Sequence, residues 1–75
     1  MGSDTRKIDA RALNDAQFAQ QVRRAMQEMP RGTIEVTTRS SVARNLALEM
    51  AQEADWQTDV RQQVTGEFKI TLRKV

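Results

Sequence analysis

The stretch KIDARALNDAQFAQQVRRAM, residues 7–26, decides the fold, because it carries the outline of a short strand, a turn and the start of a helix. Residues 5–10 form a short segment centred on Ile8, and a strand is the interpretation that fits the helix after it. From Asp15 to Met29 the apolar side chains recur at the three- and four-residue spacing of one helix face. The chain therefore opens as a strand–turn–helix unit.

The predicted helix start is complete in structural terms. Asn14 can act as the N-cap, and Gln17 then occupies the third helical position, which gives a capping box. Leu13 before the cap and Phe18 after it have the spacing of a hydrophobic staple. Asp15 falls in the first turn, where a carboxylate favours the positive end of the helix dipole by about 0.3–1 kcal/mol. A catalytic role for Asp15 lacks any evident partner acid or base, so we interpret it as part of the helix start.

The rest of the chain changes its hydrophobic period several times. Pro30 ends the first helix and the following Arg31-Gly32 turns the chain. The second helix is expected to follow the helical period through Val42, Leu46 and Met50, with Ala43, Ala47 and Ala54 beside them. The remaining elements are a strand at 33–37, a helix at 41–53 with Ser40 as its N-cap, a strand at 56–64 with Trp56, Thr58, Val60 and Val64 on one face, a turn at Thr65-Gly66, and a strand at 67–73.

This order of elements predicts an α+β fold, a two-layer α/β sandwich of βαβαββ order. Its four-stranded mixed sheet carries both helices on one face, and its other face is polar. We expect residues 1–75 to form a single domain, with residues 1–4 disordered. The outward sheet positions lack a large apolar side chain: Thr33, Glu35, Thr37, Gln57, Asp59, Arg61, Gln63, Glu67, Lys69, Thr71 and Arg73.

Composition limits the chemistry. The chain has no cysteine and no histidine, so disulfides, thiolate metal sites and histidine bases are all excluded. We expect no metal, no cofactor and no enzymatic activity. No apolar run is long enough to span a bilayer and the N-terminus lacks an apolar signal core, so a cytoplasmic protein without a membrane partner is expected. Twelve Lys and Arg against ten Asp and Glu give a net charge of only +2, which permits contact with anions without favouring it.

Three segments resemble the TusA/SirA-like family of small sulfur-carrier proteins: IDARALNDAQF, MQEMPRGTIEV and FKITLRKV. That family opens with a strand, an Asp, a Gly-Leu pair and a Cys-Pro-x-Pro motif at the first helix start. The second segment resembles its helix end, Pro-x-Gly turn and second strand, and the third its closing strand. In this chain Ile8 and Asp9 match, Ala12-Leu13 stand for Gly-Leu, and Asp15-Ala16-Gln17-Phe18 occupy the Cys-Pro-x-Pro positions.

The resemblance implies a sulfur relay in which the helix-start cysteine carries a persulfide. Asp15 stands at that cysteine position, and an aspartate oxygen cannot hold and pass on sulfane sulfur, so cysteine-dependent transfer is excluded for this chain on its own. The acidic-Pro start of the family's second helix is also absent, because residues 38–41 read Thr-Arg-Ser-Ser. We therefore interpret the chain as a non-catalytic TusA/SirA-like domain, a protein-binding or regulatory accessory in sulfur-related metabolism.

The alternative is a domain that contacts RNA or a small anion through the polar sheet face or the helix N-termini. Both helix N-termini are expected to lie near each other, beyond the carboxyl ends of the two parallel strands. Ser40 and Ser41 lack a visible base, which argues against a nucleophilic enzyme. The residues predicted to form an anion or partner site at the helix starts are Arg11, Asn14, Asp15, Arg39, Ser40 and Ser41.

Overall fold

A computed structural model describes residues 4–75 of the chain. Within these residues, neither helix is long and apolar enough to cross a membrane. The elements are β1 (Thr5–Asp9), α1 (Asp15–Glu28), β2 (Gly32–Thr38), α2 (Ser41–Glu53), β3 (Gln57–Gln62) and β4 (Phe68–Lys74).

The four strands form one mixed sheet in the order β1-β2-β4-β3. β1 and β2 are parallel, whereas β4 is antiparallel to both of its neighbours, β2 and β3. The chain thus crosses over from β2 through α2 to β3 and then inserts its last strand between them. α1 and α2 contact each other and share one hydrophobic core with the sheet. The predicted α+β sandwich of βαβαββ order is confirmed.

The core centres on the pairing of β2 with β4. Ile34 lies opposite Leu72, and Val36 lies opposite Ile70, and all four side chains are fully buried. Phe18 of α1 is also buried, and Val22 lies one helical turn further along α1. Each large apolar side chain buried in this way contributes roughly 1.5–3 kcal/mol relative to leaving it in water. The two central strands and α1 therefore supply most of the large core side chains.

The buried face of α2 differs from the predicted one. Val42 is 54% exposed, and Leu46 is only partly buried. Ala43 and Ala47, predicted to lie beside that face, are almost fully buried, and Met50 further along the helix is also buried. Small alanine side chains allow close contact between a helix and its neighbours, so the helix turns them inward and leaves Val42 in solvent. The prediction was therefore wrong for Val42, whereas Met50 and the two neighbouring alanines are buried.

β3 is shorter than the predicted strand. Val64 is fully exposed, because the chain has already left the strand at Gln62 and turned. The Gln63 backbone N–H donates to the Glu67 carbonyl at 2.7 Å, and the Gly66 N–H donates to the Gln63 carbonyl at 2.9 Å. Gly66 adopts a φ of +90°, which glycine tolerates without strain. Val64 therefore lies in the hairpin loop and not on the core face.

Thr58, also predicted to face the core, is exposed. Within β3 only Val60 is partly buried against the core, because β3 is the outermost strand on its side of the sheet. Trp56 immediately precedes β3 and is buried, and its backbone N–H donates to the Ala51 carbonyl at 2.7 Å. This bond fixes Trp56 beneath the end of α2.

The predicted disorder of residues 1–4 falls mostly outside the described residues, which begin at Asp4. The Asp4 carbonyl accepts a hydrogen bond from the Thr33 N–H at 2.8 Å. Gly32 lies against this contact with a φ of +126°, and a Cβ built there would be 2.6 Å from the Asp4 carbonyl oxygen. The turn between α1 and β2 therefore requires glycine at position 32.

The predicted start of α1 is confirmed. The Gln17 N–H donates to Asn14 Oδ1 at 2.8 Å, and the Asn14 N–H donates to Gln17 Oε1 at 3.2 Å, which completes the capping box. Leu13 is partly buried against the core and Phe18 is fully buried, as a hydrophobic staple requires. Asp15 is the first helical residue.

Asn14→Ala should lower the free energy of unfolding by about 0.5–2 kcal/mol, because it removes the acceptor for the Gln17 N–H. Chemical denaturation followed by circular dichroism measures this difference. Asn14→Ser is the matched control, since serine keeps a side-chain acceptor at the cap and should retain most of the stability. Equal stability of the alanine and serine variants would show that the cap contributes nothing.

Candidate functional site

The two helix starts lie side by side at one end of the sheet. β1 and β2 are adjacent parallel strands, and each leads into a helix at its carboxyl end. Ser40 Oγ donates a hydrogen bond to Asp15 Oδ1 at 3.2 Å, which links the first residue of α1 to the cap of α2. The predicted proximity of the helix N-termini is confirmed.

Ser40 is the residue that joins this end of the molecule together. Its Oγ accepts a hydrogen bond from the Ala43 N–H at 3.1 Å, so Ser40 caps α2 as predicted. Its backbone N–H donates to Thr38 Oγ1 at 3.2 Å, and Thr38 is almost fully buried. The Ser40 hydroxyl therefore accepts from its own helix and donates to Asp15 at the same time.

A bidentate ion pair joins Asp9 to Arg11 beside the helix starts. Arg11 Nε donates to Asp9 Oδ1 at 2.9 Å and Nη2 donates to Oδ2 at 2.8 Å. The Arg11 backbone N–H also donates to Oδ1 at 3.2 Å. The side-chain bonds from Arg11, followed by its backbone bond, lower the pKa of Asp9 from 3.8 to about 2. The same partner raises the pKa of Arg11.

Glu67 brings the β3–β4 hairpin into contact with this cluster. Glu67 Oε2 accepts a hydrogen bond from Arg39 Nε at 3.1 Å and lies 3.5 Å from Arg11 Nη1. The Glu67 side chain is only 16% exposed, whereas that of Arg39 is 68% exposed. Both arginines of the predicted anion or partner site are therefore ion-paired to carboxylates.

The structure thus gathers five of the six predicted site residues into two linked groups. The six predicted residues together are called the helix-start surface below. One group consists of Asp15 with Ser40 and the α1 cap, and the other of the two arginines around Glu67. Ser41 is exposed at the first position of α2. The helix-start surface comprises Arg11, Asn14, Asp15, Arg39, Ser40 and Ser41.

Sequence reasoning did not include Asp9 and Glu67 in this site. Asp9 is two residues from Arg11 at the end of β1, a spacing at which a carboxylate and a guanidinium meet across a turn. That signal was visible in the sequence. Glu67 offered no such signal, because its proximity to Arg39 depends on β4 lying next to β2.

The helix-start surface is polar and lacks the groups of a nucleophilic or metal centre. Ser40 Oγ has a carboxylate neighbour but no histidine or lysine arranged to take its proton, and the chain contains no histidine. Across residues 4–75, the acidic side chains do not form a group of three or more that could hold a metal ion. Asp15 and Asn14 are exposed and are fixed in place by the caps, so the surface presents ordered hydrogen-bonding groups.

The polar face of the sheet carries charges of both signs and no aromatic ring. Phe18 and Trp56 are buried, and Phe68 lies under the guanidinium of Arg44, whose carbon is 4.8 Å from the ring centroid. These are all the aromatic residues in the chain. Proteins that bind single-stranded nucleic acid stack bases on exposed aromatic rings, and this sheet face offers none.

The fold is similar to that of a SirA-like protein from Desulfitobacterium hafniense, known from a crystal structure. The two structures have a TM-score of 0.85 and 18% sequence identity over 93% of this chain and 96% of the other. The chain therefore has the SirA-like fold, and at this identity the similarity extends to the fold alone. No protein-family model matches the sequence. No curated protein matches it either.

The pKa of Asp9 should be close to 2 in a carboxyl-detected NMR titration, and Arg11→Gln should return it toward 3.8. Since the folded-state pKa is lowered, the Asp9–Arg11 pair stabilises the fold above the unfolded pKa and loses this effect as the pH falls through about 2. The stability difference between the parent protein and Asp9→Asn should shrink over the same range. Arg44→Gln is the control, and a pKa of Asp9 that moves equally in both arginine variants would contradict the assignment.

Asp15→Cys should give a thiol whose pKa is below the free value of about 8.5, because a helix N-terminus stabilises the thiolate. Ser40 Oγ, which donates to the carboxylate now, is placed to donate to the thiolate as well. Ultraviolet titration at the thiolate absorbance measures the pKa. Val64→Cys, at the fully exposed hairpin loop, is the control, and equal pKa values for the two thiols would overturn the expectation.

Proposed function

We propose that the protein is a non-catalytic TusA/SirA-like domain that binds a protein partner through the helix-start surface, as an accessory in sulfur-related metabolism. The observation that carries the proposal is the Asp15 carboxylate at the first position of α1, held by Ser40 where the family resemblance implies a sulfur-carrying cysteine. The SirA-like fold supports the resemblance from which that position was identified.

Sulfur transfer by this chain has no chemical basis at that position. A carrier forms a bond between its thiolate sulfur and the sulfane sulfur, then loses that sulfur to an acceptor thiol. The Asp15 carboxylate is not a thiol and the chain contains no cysteine. The remaining sulfur atoms are methionine thioethers, which have no proton to lose, and both Met29 and Met50 are buried.

The helix-start surface has the properties of a preorganised docking site. Asp15 is exposed, and its Oδ1 accepts from Ser40, so the carboxylate is oriented before any partner arrives. Arg39 and Arg11 are restrained by Glu67, which lies mostly covered beneath them. A surface whose side chains are already ordered loses less conformational entropy on binding. The groups exposed here are polar, so we expect a partner that donates hydrogen bonds to Asp15.

The anion and RNA alternatives have weaker support. Arg11 and Arg39 are paired with Asp9 and Glu67, and the Asp15 carboxylate already occupies the shared positive end of the two helices. A free phosphate at this point would face that carboxylate. The sheet face offers an RNA no exposed aromatic ring.

Site-specific photo-crosslinking in cells that naturally make the protein tests the proposal. A photoreactive amino acid at Ala16, which is exposed in the first turn of α1, should give a discrete covalent adduct with one protein. The same amino acid at Gln27, exposed in the last turn of the same helix, is the control and should not. Asp15→Arg should weaken binding of the recovered partner by about tenfold or more, because it replaces an acceptor of charge-assisted hydrogen bonds.

Two results would overturn the proposal. One is an adduct that forms equally from both crosslinker positions, or an affinity that does not change in Asp15→Arg, since either result places the partner elsewhere. The other is a measurable transfer of sulfane sulfur by the purified protein, since the proposed domain does not catalyse it.

A further inference from the structure

The β3 edge of the sheet is open. β3 pairs with β4 along all its residues, from Gln57 opposite Arg73 to Gln62 opposite Phe68, and the register contains no bulge. Every β3 residue except Val60 is exposed, and no further described strand lies beyond it. Natural proteins usually protect such an edge with proline, a bulge, lysine or a covering segment. β3 contains neither proline, glycine nor lysine.

The hydrogen-bond pattern shows which backbone groups face this open edge. The Gln63 N–H donates to the carbonyl of Glu67, directly opposite, so Gln63 directs its backbone groups toward β4. Antiparallel strands alternate, and Asp59 and Arg61 therefore also direct theirs toward β4. The intervening residues, Thr58, Val60 and Gln62, direct their N–H and C=O groups away from the sheet.

We propose that a second copy of this chain pairs antiparallel along the β3 edge, centred on Val60. Thr58 then lies opposite Gln62 of the second copy, and Val60 lies opposite its own equivalent. Each of these residues exchanges both backbone hydrogen bonds with its opposite. The two four-stranded sheets become one continuous sheet around a two-fold axis.

The charges of Asp59 and Arg61 favour the pairing centred on Val60 over the neighbouring registers. Two-fold pairings centred on Asp59 or Val60 overlap five residues of β3, and those centred on its other residues overlap three or fewer. Centring on Asp59 places that carboxylate opposite itself, and centring on Arg61 places two guanidiniums together. Centring on Val60 places Asp59 of each copy opposite Arg61 of the other, in the closely spaced non-hydrogen-bonded positions. Among the charges within β3, only this register brings opposite signs together at both sides of the axis.

The same two charges discourage other strands from adding to this edge. Arg61 Nε lies 3.5 Å from Asp59 Oδ2 in the monomer, and both side chains are more than half exposed, so this pair is weak and can exchange its partner. An unrelated strand that does not match both charges would leave them unpaired. Val60, already partly buried, gains apolar contact with its equivalent in the second copy.

The opposite edge of the sheet is less suitable for self-pairing. β1 carries Lys7 at its centre, and this positive charge hinders the approach of a second copy of the same strand. The neighbouring Arg6 is ion-paired with Glu28 at 2.7 Å. Asp9, which could offset Lys7, is already bound by Arg11. The β3 edge is thus the self-complementary one. The interface is small, so a weak dimer is expected whose population rises with concentration.

Sedimentation equilibrium over the micromolar to millimolar range tests the proposal. The parent protein should show a concentration-dependent dimer. Asp59→Arg and Arg61→Asp should each weaken dimerisation by about tenfold or more, because each places like charges opposite each other at both sides of the axis. Glu49→Arg, on an exposed position of α2, makes the same charge change as Asp59→Arg away from the edge and should leave the dimer intact.

Mixing Asp59→Arg with Arg61→Asp is the most specific test of the register. The mixture sets two arginines on one β3 strand opposite two aspartates on the other, so a heterodimer should form at least as strongly as the parent dimer. A misfolded variant would not recover in this way. A parent protein that stays monomeric at millimolar concentration would overturn the proposal. So would a dimer that neither variant weakens, or two weakened variants that do not associate when mixed.

Discussion

The antiparallel pairing of β2 with β4 is the contact on which the other features depend. It sets Ile34 against Leu72 and Val36 against Ile70, the fully buried centre of the core. Because β4 takes the place next to β2, β3 is displaced to the outside of the sheet. The insertion also carries Glu67, just before β4, to the end of the sheet where the helices begin. The strand order thus determines the core contacts, the position of Glu67 beside the helix starts and the exposure of the β3 edge.

At the helix-start surface, the partial positive charge of the helix N-termini is balanced by a side chain of the chain itself. Helix N-termini favour a negative group, and here the chain provides one in Asp15. The neighbouring cap residue, Ser40, holds that group with a hydroxyl that also completes its own helix. The arginines nearby are likewise balanced by carboxylates of the chain. The surface is ordered by internal contacts, so the proposed partner would recognise it by shape and hydrogen bonding.

The elements that depend on local interactions were predictable from the sequence. The capping box at Asn14 and the cap at Ser40 rest on residues within one turn of each other, and both are present. The α+β order followed from the change of hydrophobic period. Val64 was wrongly predicted to face the core because the alternating pattern of β3 continues into the hairpin loop. There the hydrogen bonds of the turn determine its exposure.

Features that depend on distant parts of the chain were not predictable in the same way. Val42 was wrongly assigned to the buried face of α2 because hydrophobicity ranks it above Ala43, whereas close packing favours the smaller side chain. The contact of Glu67 with Arg39 requires the strand order, which the hydrophobic pattern does not contain. For the site, the sequence indicated the helix starts, their proximity and the short spacing of Asp9 from Arg11, and it did not indicate the ion pair of Arg39 with Glu67.

The Asp15 carboxylate, held by Ser40, also makes this surface insensitive to redox conditions. A cysteine at a helix start exists in several covalent states, free, loaded or oxidised, and each presents a different size and charge to its surroundings. A carboxylate has no such series of states, and the chain has no thiol elsewhere. The proposed partner would therefore meet the same surface under oxidising and reducing conditions. Its binding would depend on how much of the protein is present and not on the redox state of a side chain at this position.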